Sequence, residues 1–202
     1  MDYTSLTEVH NAMQGDSTLT VQDSILSSYI TKASRLIDTL CTGVNDPNTA
    51  DYFTQADVVG ELLTNGAIEY TGDLLFYPHK SNINSVASFN YRYRLHDSWV
   101  AGDPTYINIE GEAVRFEGSL IYEERIYVQL NYNGGLASTQ TSLPADFIDL
   151  ATMIAVRLYK EARGNYTDAI GIAELGTMIY TKAFPARFLE TLPKYTRIAP
   201  WT

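Results

Sequence analysis

The residues that could carry chemistry are few in this chain and lie far apart. The three histidines are His10, His79 and His96, and no two of them have the i, i+4 spacing of a metal site on a helix. Single surface or capping histidines explain them better than a metal site does. A glycine–x–serine–x–glycine nucleophile elbow and a phosphate-binding loop are both absent from the sequence. The sequence therefore predicts neither a metal site nor a cofactor.

Two groups of acidic residues could supply the paired carboxylates of a glycosidase. Glu123 and Glu124 are adjacent, and adjacent side chains on a regular strand point to opposite faces, so these two cannot share a cleft. The other group surrounds a predicted hairpin turn, where solvated acids are common. It consists of Glu110, Glu112 and Glu117. A solvent-exposed sheet is favoured over a catalytic pair, and the chain is predicted not to be an enzyme.

A basic and aromatic group in the middle of the chain could bind nucleic acid by stacking and charge. Arg92 and Arg94 alternate with Tyr91 and Tyr93. On a strand this alternation separates the cations from the rings, which predicts that they form no joint platform. The formal charge of −10 also argues against a general nucleic-acid binder, because neutralising phosphates requires lysine and arginine.

Composition indicates a globular protein with an unusual supply of tyrosine. The 202 residues are 45% hydrophobic and 19% charged, and tyrosine occurs 15 times. Tyrosine suits protein interfaces and equally suits the exposed face of a sheet, so both interpretations stay open. Acidic residues dominate before residue 60 and basic residues after residue 182. This asymmetry is compatible with head-to-tail contact between copies, and equally with solvated faces.

The chain shows no feature of a secreted or membrane protein. Cys41 is the single cysteine, so an intrachain disulfide is excluded, and its place on an apolar helical stripe predicts a core residue. The N-terminal residues lack the basic start and apolar run of a signal peptide. No stretch approaches the roughly 18 apolar residues of a membrane span. We expect a soluble protein made in a cytoplasm, without a membrane partner.

Apolar spacing predicts three helices. The string Ser5–Leu6–Thr7–Glu8 fits a capping box for a short helix that ends near Gln14. A second helix covers Val21–Gly43 and carries one broad apolar face for about twenty residues. Pro144 suits the first turn of a third helix, which ends at Gly164.

Between these helices the hydrophobic period changes from helical to two, which predicts antiparallel strands. Gly111 marks a hairpin turn, and Pro78 closes the strand that precedes it. The double glycine Gly134–Gly135 is predicted to be a sharp exit from the sheet. The predicted strands lie at 74–77, 87–95, 106–110, 113–117 and 125–132.

These elements predict an α+β fold, in which a helical core formed from the N- and C-terminal segments carries an inserted antiparallel β-module. The predicted bounds are 1–43 and 143–202 for the helical core with its C-terminal tail, 66–135 for the β-module and 44–65 for an ambiguous connector. In the connector, Thr54 with Asp57 could cap a short helix, whereas Tyr52–Phe53 and Val58–Val59 suit strands.

The order of the elements and several short strings resemble the head–tail connector (adaptor) proteins of long-tailed bacteriophages. The strings include Pro78 followed by Ile83–Asn84–Ser85–Val86, the strand exit Val128–Gly135 and the helix start Leu143–Asp146. Two later strings are Leu158–Tyr159 with Arg163, and Leu192 with Tyr195 and Arg197. The resemblance covers most of the chain, and the large β-module and the segment Val44–Asn65 depart from it.

The resemblance implies a structural virion protein at the head–tail interface, assembled in the host cytoplasm. It implies a homo-oligomer, a dodecameric ring that docks beneath the portal protein, lengthens the DNA channel and receives a stopper or tail-completion protein. A ring of chains with a −10 charge would have an acidic bore, so passing DNA would slide without sequence-specific binding.

The C-terminal tail is the candidate contact with the portal. Tyr195–Trp201 is aromatic and basic and has no core of its own, so docking would order it. The candidate interface residues are Lys194, Tyr195, Arg197 and Trp201. A tail packed back on its own domain explains the same residues. Two other functions stay open: a carbohydrate- or receptor-binding module that uses the tyrosine-rich β-insertion, and a stopper or tail-completion protein.

Overall fold

The computed structural model describes residues 1–13, 23–42, 51–63, 67–68, 73–116, 126–162 and 190–196, with the backbone alone at 67–68. These residues form two compact units. One is drawn from Met1–Ala50 and Thr139–Thr196 and is helical, and the other is drawn from Asp51–Ser138 and consists of antiparallel strands. The predicted α+β fold, a helical core from the two end segments with an inserted β-module, is confirmed.

The helical unit is built from α1 (Leu6–Ala12), α2 (Asp23–Thr42) and α3 (Ala145–Ala162). The apolar residues of α2 and α3 recur every three or four positions, so each helix presents one buried face. The buried residues of these two faces include Leu26, Ile30, Ala33, Ile37, Cys41, Phe147, Leu150, Ala151, Ile154 and Ala155. The predicted helices and the buried Cys41 are confirmed, whereas Gly43 and Gly164 lie outside the described residues.

Hydrogen bonds in the first turn mark where α1 and α3 begin. The Ser5 hydroxyl accepts a hydrogen bond from the Glu8 amide at 3.3 Å, and the Glu8 carboxylate accepts one from the Ser5 amide at 3.0 Å. The predicted capping box is therefore confirmed. The same Glu8 carboxylate accepts from Gln140 Nε2 at 2.8 Å, which ties the 3₁₀ turn before α3 to α1. The Pro144 carbonyl accepts from the Phe147 amide at 3.0 Å and so starts α3, as predicted.

The β-module has two four-stranded antiparallel sheets. The strands are β1 (Ala56–Leu63), β2 (Ala67–Ile68), β3 (Leu74–Phe76), β4 (Ile83–Arg92), β5 (Val100–Ala101), β6 (Ile107–Glu110), β7 (Ala113–Phe116) and β8 (Tyr127–Gly134). The strand order is β1-β8-β4-β5 in the first sheet and β2-β3-β7-β6 in the second. The predicted hairpin is formed by β6 and β7, and its turn residue Gly111 has a φ of +65°.

One apolar cluster serves both sheets of the β-module. In β8 the residues Val128, Leu130 and Tyr132 are buried, and the residues between them are partly exposed. Phe89 of β4 and Phe116 of β7 belong to the same cluster, and their rings pack edge to face with centroids 4.9 Å apart. The alternation of apolar and polar residues in the sequence therefore correctly predicted which side chains face the core of this module.

The ambiguous connector contains a strand, and the helix that Thr54 and Asp57 could have capped does not form. β1 pairs with β8, but the register jumps from Val58 opposite Tyr132 to Glu61 opposite Leu130. This β-bulge inserts one residue and contains Gly60, whose φ is +73°. The extra residue breaks the alternation of side chains, which is why the sequence period gave no clear strand signal there.

Gly135 is glycine because its neighbours leave no room for a side chain. Its φ is +117°, and a Cβ built on it would lie 2.5 Å from backbone atoms of Thr54 and Gln55. Its amide donates to the Ser81 carbonyl at 2.6 Å and to the Asn82 carbonyl at 2.9 Å, so the backbone is held in this position. The double glycine is the predicted exit from the sheet, and the exit is packed tightly against the chain that enters β1.

Candidate interaction surfaces

The candidate metal ligands of the sequence do not meet. His10 pairs with Asp23 at 2.9 Å, and His96 lies 3.8 Å from Asp97 on the surface. His79 donates its backbone amide to Glu61 at 2.7 Å. Within the described part of the chain, no group of three histidine, cysteine, aspartate or glutamate side chains is arranged to hold a metal ion.

The candidate carboxylates are engaged separately. Arg115 donates to Glu110 at 2.7 and 2.9 Å and lies 3.5 Å from Asp73, and its hydrogen bonds lower the pKa of Glu110. Glu112 accepts from the Tyr52 hydroxyl at 3.4 Å. Glu117, Glu123 and Glu124 lie outside the described residues. The two described glutamates therefore have different partners, Arg115 for Glu110 and the Tyr52 hydroxyl for Glu112.

The first residues of the C-terminal tail pack on the helical unit. A 3₁₀ turn covers Leu192–Lys194, and the Tyr195 ring lies edge to face with Phe147, with centroids 4.8 Å apart. The Tyr195 hydroxyl donates to Asp146 at 2.8 Å, and Lys194 Nζ donates to the other oxygen of Asp146 at 3.3 Å. Of the four predicted interface residues, the structure brings Lys194 and Tyr195 together at Asp146. Arg197 and Trp201 lie outside the described residues, so the interface stays a prediction.

This contact shifts the pKa values of Asp146 and Tyr195. The hydrogen bond from Tyr195 is the main cause that lowers the pKa of Asp146, and Lys194 adds to it. Burial raises the pKa of the Tyr195 hydroxyl, and its bond to the carboxylate raises it further. The docked segment is therefore favoured wherever Asp146 is ionised and Tyr195 is neutral.

We expect the docking of residues 192–196 to be independent of pH between about 4 and 10 and to weaken outside that window. A lowered carboxyl pKa contributes stability above the ordinary value of 3.8 and loses it as the pH falls further. A raised phenol pKa contributes below the ordinary value of 10.0 and loses it as the pH rises. Amide hydrogen exchange at residues 192–196, corrected for intrinsic rates, should show protection at pH 6 that falls at pH 3.

The substitution Asp146→Asn removes the charged acceptor and should reduce that protection at pH 6 about 5-fold, which corresponds to about 1 kcal/mol. Protection in the variant should also be nearly the same at pH 3 and pH 6. Asp149→Asn, an exposed change three residues along the same helix, is the control and should leave the segment protected. Equal protection in the two variants would show that the carboxylate does not hold the tail.

The outer face of the first sheet carries a ladder of amide side chains along β8. Asn133 accepts from Gln55 at 2.9 Å and donates to Asp57 at 2.7 Å. Asn131 donates to the Ser88 hydroxyl at 2.8 Å and accepts from the Gly60 amide at 2.7 Å. A third member, Gln129, accepts from Asn90 at 3.5 Å. These amides bond to one another across β1, β8 and β4, which leaves fewer of their donors and acceptors for a ligand.

Arg92 lies beyond this ladder and contacts aromatic rings, as sequence reasoning did not foresee. Its guanidinium lies 4.3 Å from the ring centroid of Trp99 and 5.7 Å from that of Tyr127. Tyr91 and Tyr93 pack against the inner cluster, so the predicted separation from Arg92 holds for them. The missed signal was the register between strands, since Arg92 is directly opposite Tyr127 on β8.

A buried polar cluster joins the N-terminal residues to α2. Asp38 is 1% exposed and accepts from the Tyr3 hydroxyl and, at 3.0 Å, from Arg35. The Tyr3 amide donates to the Ser34 hydroxyl at 2.9 Å, and Arg35 donates to the Met1 carbonyl at 2.9 Å. Asp38 follows Ser34 by four residues, and that helical spacing was the signal that it faces inward. The cluster anchors the residues before α1 to α2.

The helices of the described residues are each too short or too polar to span a membrane.

Comparison with known proteins gives no match at the level of sequence. No family model matches the chain, and no curated protein matches it in sequence.

Among the solved structures that match this chain, two chains have the same fold over nearly all of its length. The first is a chain in the neck of an empty gene transfer agent (GTA) particle computed with C6 symmetry, at 12% identity, with a TM-score of 0.53, covering 98% of this chain and 92% of that one. The second is a chain in the virion of a native GTA particle, at 13% identity and a TM-score of 0.54, with the same coverage. At these identities the likeness shows a common fold that extends over nearly the whole chain.

Proposed function

We propose that this chain is a structural protein of a phage-like virion, a head–tail connector (adaptor) whose copies form a ring beneath the portal. The observation that carries the proposal is the fold shared along 98% of the chain with a chain in a GTA particle neck. The order of sequence strings typical of phage connectors supports the same role. In this role the ring extends the DNA channel and joins the head to a stopper or tail-completion protein, at the head–tail interface of the virion.

The chemistry of the described residues is compatible with such a role. Glu110 is bonded to Arg115 and Glu112 to Tyr52, and the described ranges contain no group of three side chains arranged to hold a metal ion. The formal charge of −10 favours a ring whose bore repels the phosphates of passing DNA. We propose twelve copies, the number that the connector resemblance implies, without sequence-specific contact to DNA.

Electron microscopy of the purified chain mixed with its portal protein tests this role directly. We expect an added ring below the portal, with one copy of this chain for each portal subunit. A stopper or tail-completion protein would instead bind only after another ring is present. Portal particles that stay bare at micromolar concentrations of this chain would contradict the connector role.

We propose that the tail beyond Tyr195 provides the portal contact, through Arg197 and Trp201. Because Tyr195 already packs on Phe147, deletion of residues 197–202 removes these two side chains and leaves the packed segment intact. We expect at least a 10-fold loss of portal affinity, the effect of about 1.4 kcal/mol, since aromatic and arginine side chains dominate interface energies. Light scattering of the mixture measures the affinity.

Deletion of residues 194–202 also removes Tyr195 and is the comparison for the tail contact. If both deletions reduce portal binding equally, Lys194 and Tyr195 act inside the helical unit and not at the portal. Unchanged binding after either deletion would refute the tail contact while leaving the ring itself open to the microscopy test.

The carbohydrate- or receptor-binding alternative depends on the β-module. Its best candidate surface is the outer face of the first sheet, where Asn131 and Asn133 are already hydrogen bonded to protein groups. Glycan recognition needs such amides to be available, so this observation favours the connector. A glycan array with the intact chain separates the two functions, because a connector should bind none of the sugars.

A further inference from the structure

Arg92 lacks an anionic partner within the described residues. Trp99 and Tyr127 lie against its guanidinium, and its Nε is buried without a hydrogen-bond partner. The described residues place no carboxylate against it. Buried polar atoms in folded proteins normally have a partner, so an unpaired one calls for an explanation.

The aromatic neighbours prepare Arg92 for a planar anion. Trp99, 4.3 Å from the guanidinium, provides a flat surface that limits the rotation of a long, flexible side chain. Because Nε is buried, an incoming carboxylate can reach only the two terminal nitrogens. A guanidinium held in one plane loses little further entropy when a carboxylate binds both of them. The geometry therefore suits a planar carboxylate better than a spherical anion.

The surroundings of Arg92 have the composition of a protein interface. The outer face of the first sheet combines Arg92, Trp99 and Tyr127 with Leu62, which is 49% exposed and pairs with Gln129 of β8. Aromatic residues and arginine are enriched where proteins bind one another, and they carry most of the binding energy. Val59 of β1, at 84% exposed, extends the apolar surface along the same edge strand.

Charge favours a second copy of this chain over nucleic acid as the occupant. The chain has 24 acidic residues against 14 lysines and arginines, so another copy presents an excess of carboxylates. DNA binding depends on several cations acting together, whereas this face also carries the exposed carboxylate of Asp57. An aspartate beside the phosphate path would repel it.

We propose that the outer face of the first sheet is a contact between copies, in which Arg92 binds a carboxylate on a different surface of the neighbouring copy. A ring requires such a head-to-tail contact, because two unlike patches meet at each junction. The proposal rests on the ring of the proposed function, and it adds that Arg92 is the residue that pairs with the neighbouring copy at each junction. Apolar residues at the same face, Leu62 and Trp99 among them, become buried when the carboxylate pairs with Arg92.

The test compares Arg92→Gln with Arg94→Gln in the full chain. Both substitutions remove one positive charge from the same segment, and Arg94 is exposed and lies two residues past the stack. Mass photometry and sedimentation velocity of the chain alone, and electron microscopy with portal, report the number of copies that associate. We expect Arg92→Gln to weaken association at least about 10-fold and Arg94→Gln less than about 2-fold.

Arg92→Lys is the second variant, and it keeps the charge. We expect it to weaken association nearly as much as Arg92→Gln, because an ammonium lacks the planar pair of nitrogens. Unfolding midpoints of all variants test whether the fold is retained. If Arg92→Gln lowers the midpoint as well as the association, and Arg92→Lys keeps the midpoint, the association of the lysine variant decides the test.

The outcomes separate this inference from the proposed function. Association of Arg92→Gln equal to that of the unmodified chain overturns the inference, as does an unmodified chain that binds portal only as isolated copies. Loss of affinity for a DNA duplex with unchanged association also overturns it, since Arg92 would then bind phosphate. A chain that associates through Arg92 but leaves portal bare upholds the contact between copies and overturns the connector role.

Discussion

The substitution Gly135→Ala is expected to destabilise the β-module by about 4 kcal/mol, the sum of a left-handed backbone penalty and an overpacking penalty. Alanine at a φ of +117° is strained wherever it sits. Its methyl would also lie 2.5 Å from the backbone of Thr54 and Gln55, which cannot rotate away as a side chain could. Relief requires moving the backbone and losing the hydrogen bonds from Gly135 to Ser81 and Asn82.

Gly111→Ala is the matched control for that substitution. Its φ of +65° is also left-handed, but a Cβ there would have no atom within 4 Å. The backbone penalty alone should amount to about 1 kcal/mol. Urea unfolding followed by circular dichroism measures both variants, and amide exchange should locate the loss for Gly135→Ala in β1, β4 and β8. A difference of less than about 1 kcal/mol between the two variants would contradict the close-contact explanation.

The substitution Asp38→Ala is expected to destabilise the helical unit by about 3 kcal/mol, because it removes a buried carboxylate that accepts hydrogen bonds from Tyr3 and Arg35. Asp38 is 1% exposed, and its two oxygens accept from Tyr3 and Arg35. Without the carboxylate, the Tyr3 hydroxyl loses its acceptor at a buried position, and one nitrogen of the partly exposed Arg35 loses this acceptor too. A cavity the size of a carboxylate adds to the loss.

Graded variants at the same cluster identify the cause. Asp38→Asn keeps an acceptor for Tyr3 and removes the charge, so about half of the loss is expected. Tyr3→Phe removes a single hydrogen bond and should lose about 1 kcal/mol. Unfolding free energies give the order, and amide exchange should place the loss in α2 and in the residues before α1. Asp38→Ala within about 0.5 kcal/mol of the parent chain would mean that the cluster contributes no net stability.

Local pattern was enough to predict most of the regular elements. The spacing of apolar residues predicted α2 and α3, and alternation predicted β4 and β8, since both patterns depend on neighbours a few residues apart. The capping box at Ser5 and Glu8 and the hairpin turn at Gly111 were predicted for the same reason. The α+β fold followed, because helices with one apolar face must bury it against each other.

Contacts between distant segments could not be predicted in this way. The bulge in β1 hid a strand inside 44–65, because one inserted residue shifts every later side chain to the other face. Arg92 meets Trp99 and Tyr127 through strand register, and Tyr195 meets Phe147 through the return of the tail to α3. Each of these contacts joins residues that no short sequence window contains.

The amino-acid sequence by itself determined the helices, most strands, the α+β class and the sharp exit at Gly134–Gly135, because short-range periodicity and backbone preferences act within a few residues. The tertiary structure alone decided why that exit must be glycine, since only there do Thr54 and Gln55 come within contact of residue 135. It also decided that Asp38 is a buried anchor and that the Arg92 guanidinium lies against two aromatic rings. Packing and strand register place these groups, and both depend on residues far apart in the chain.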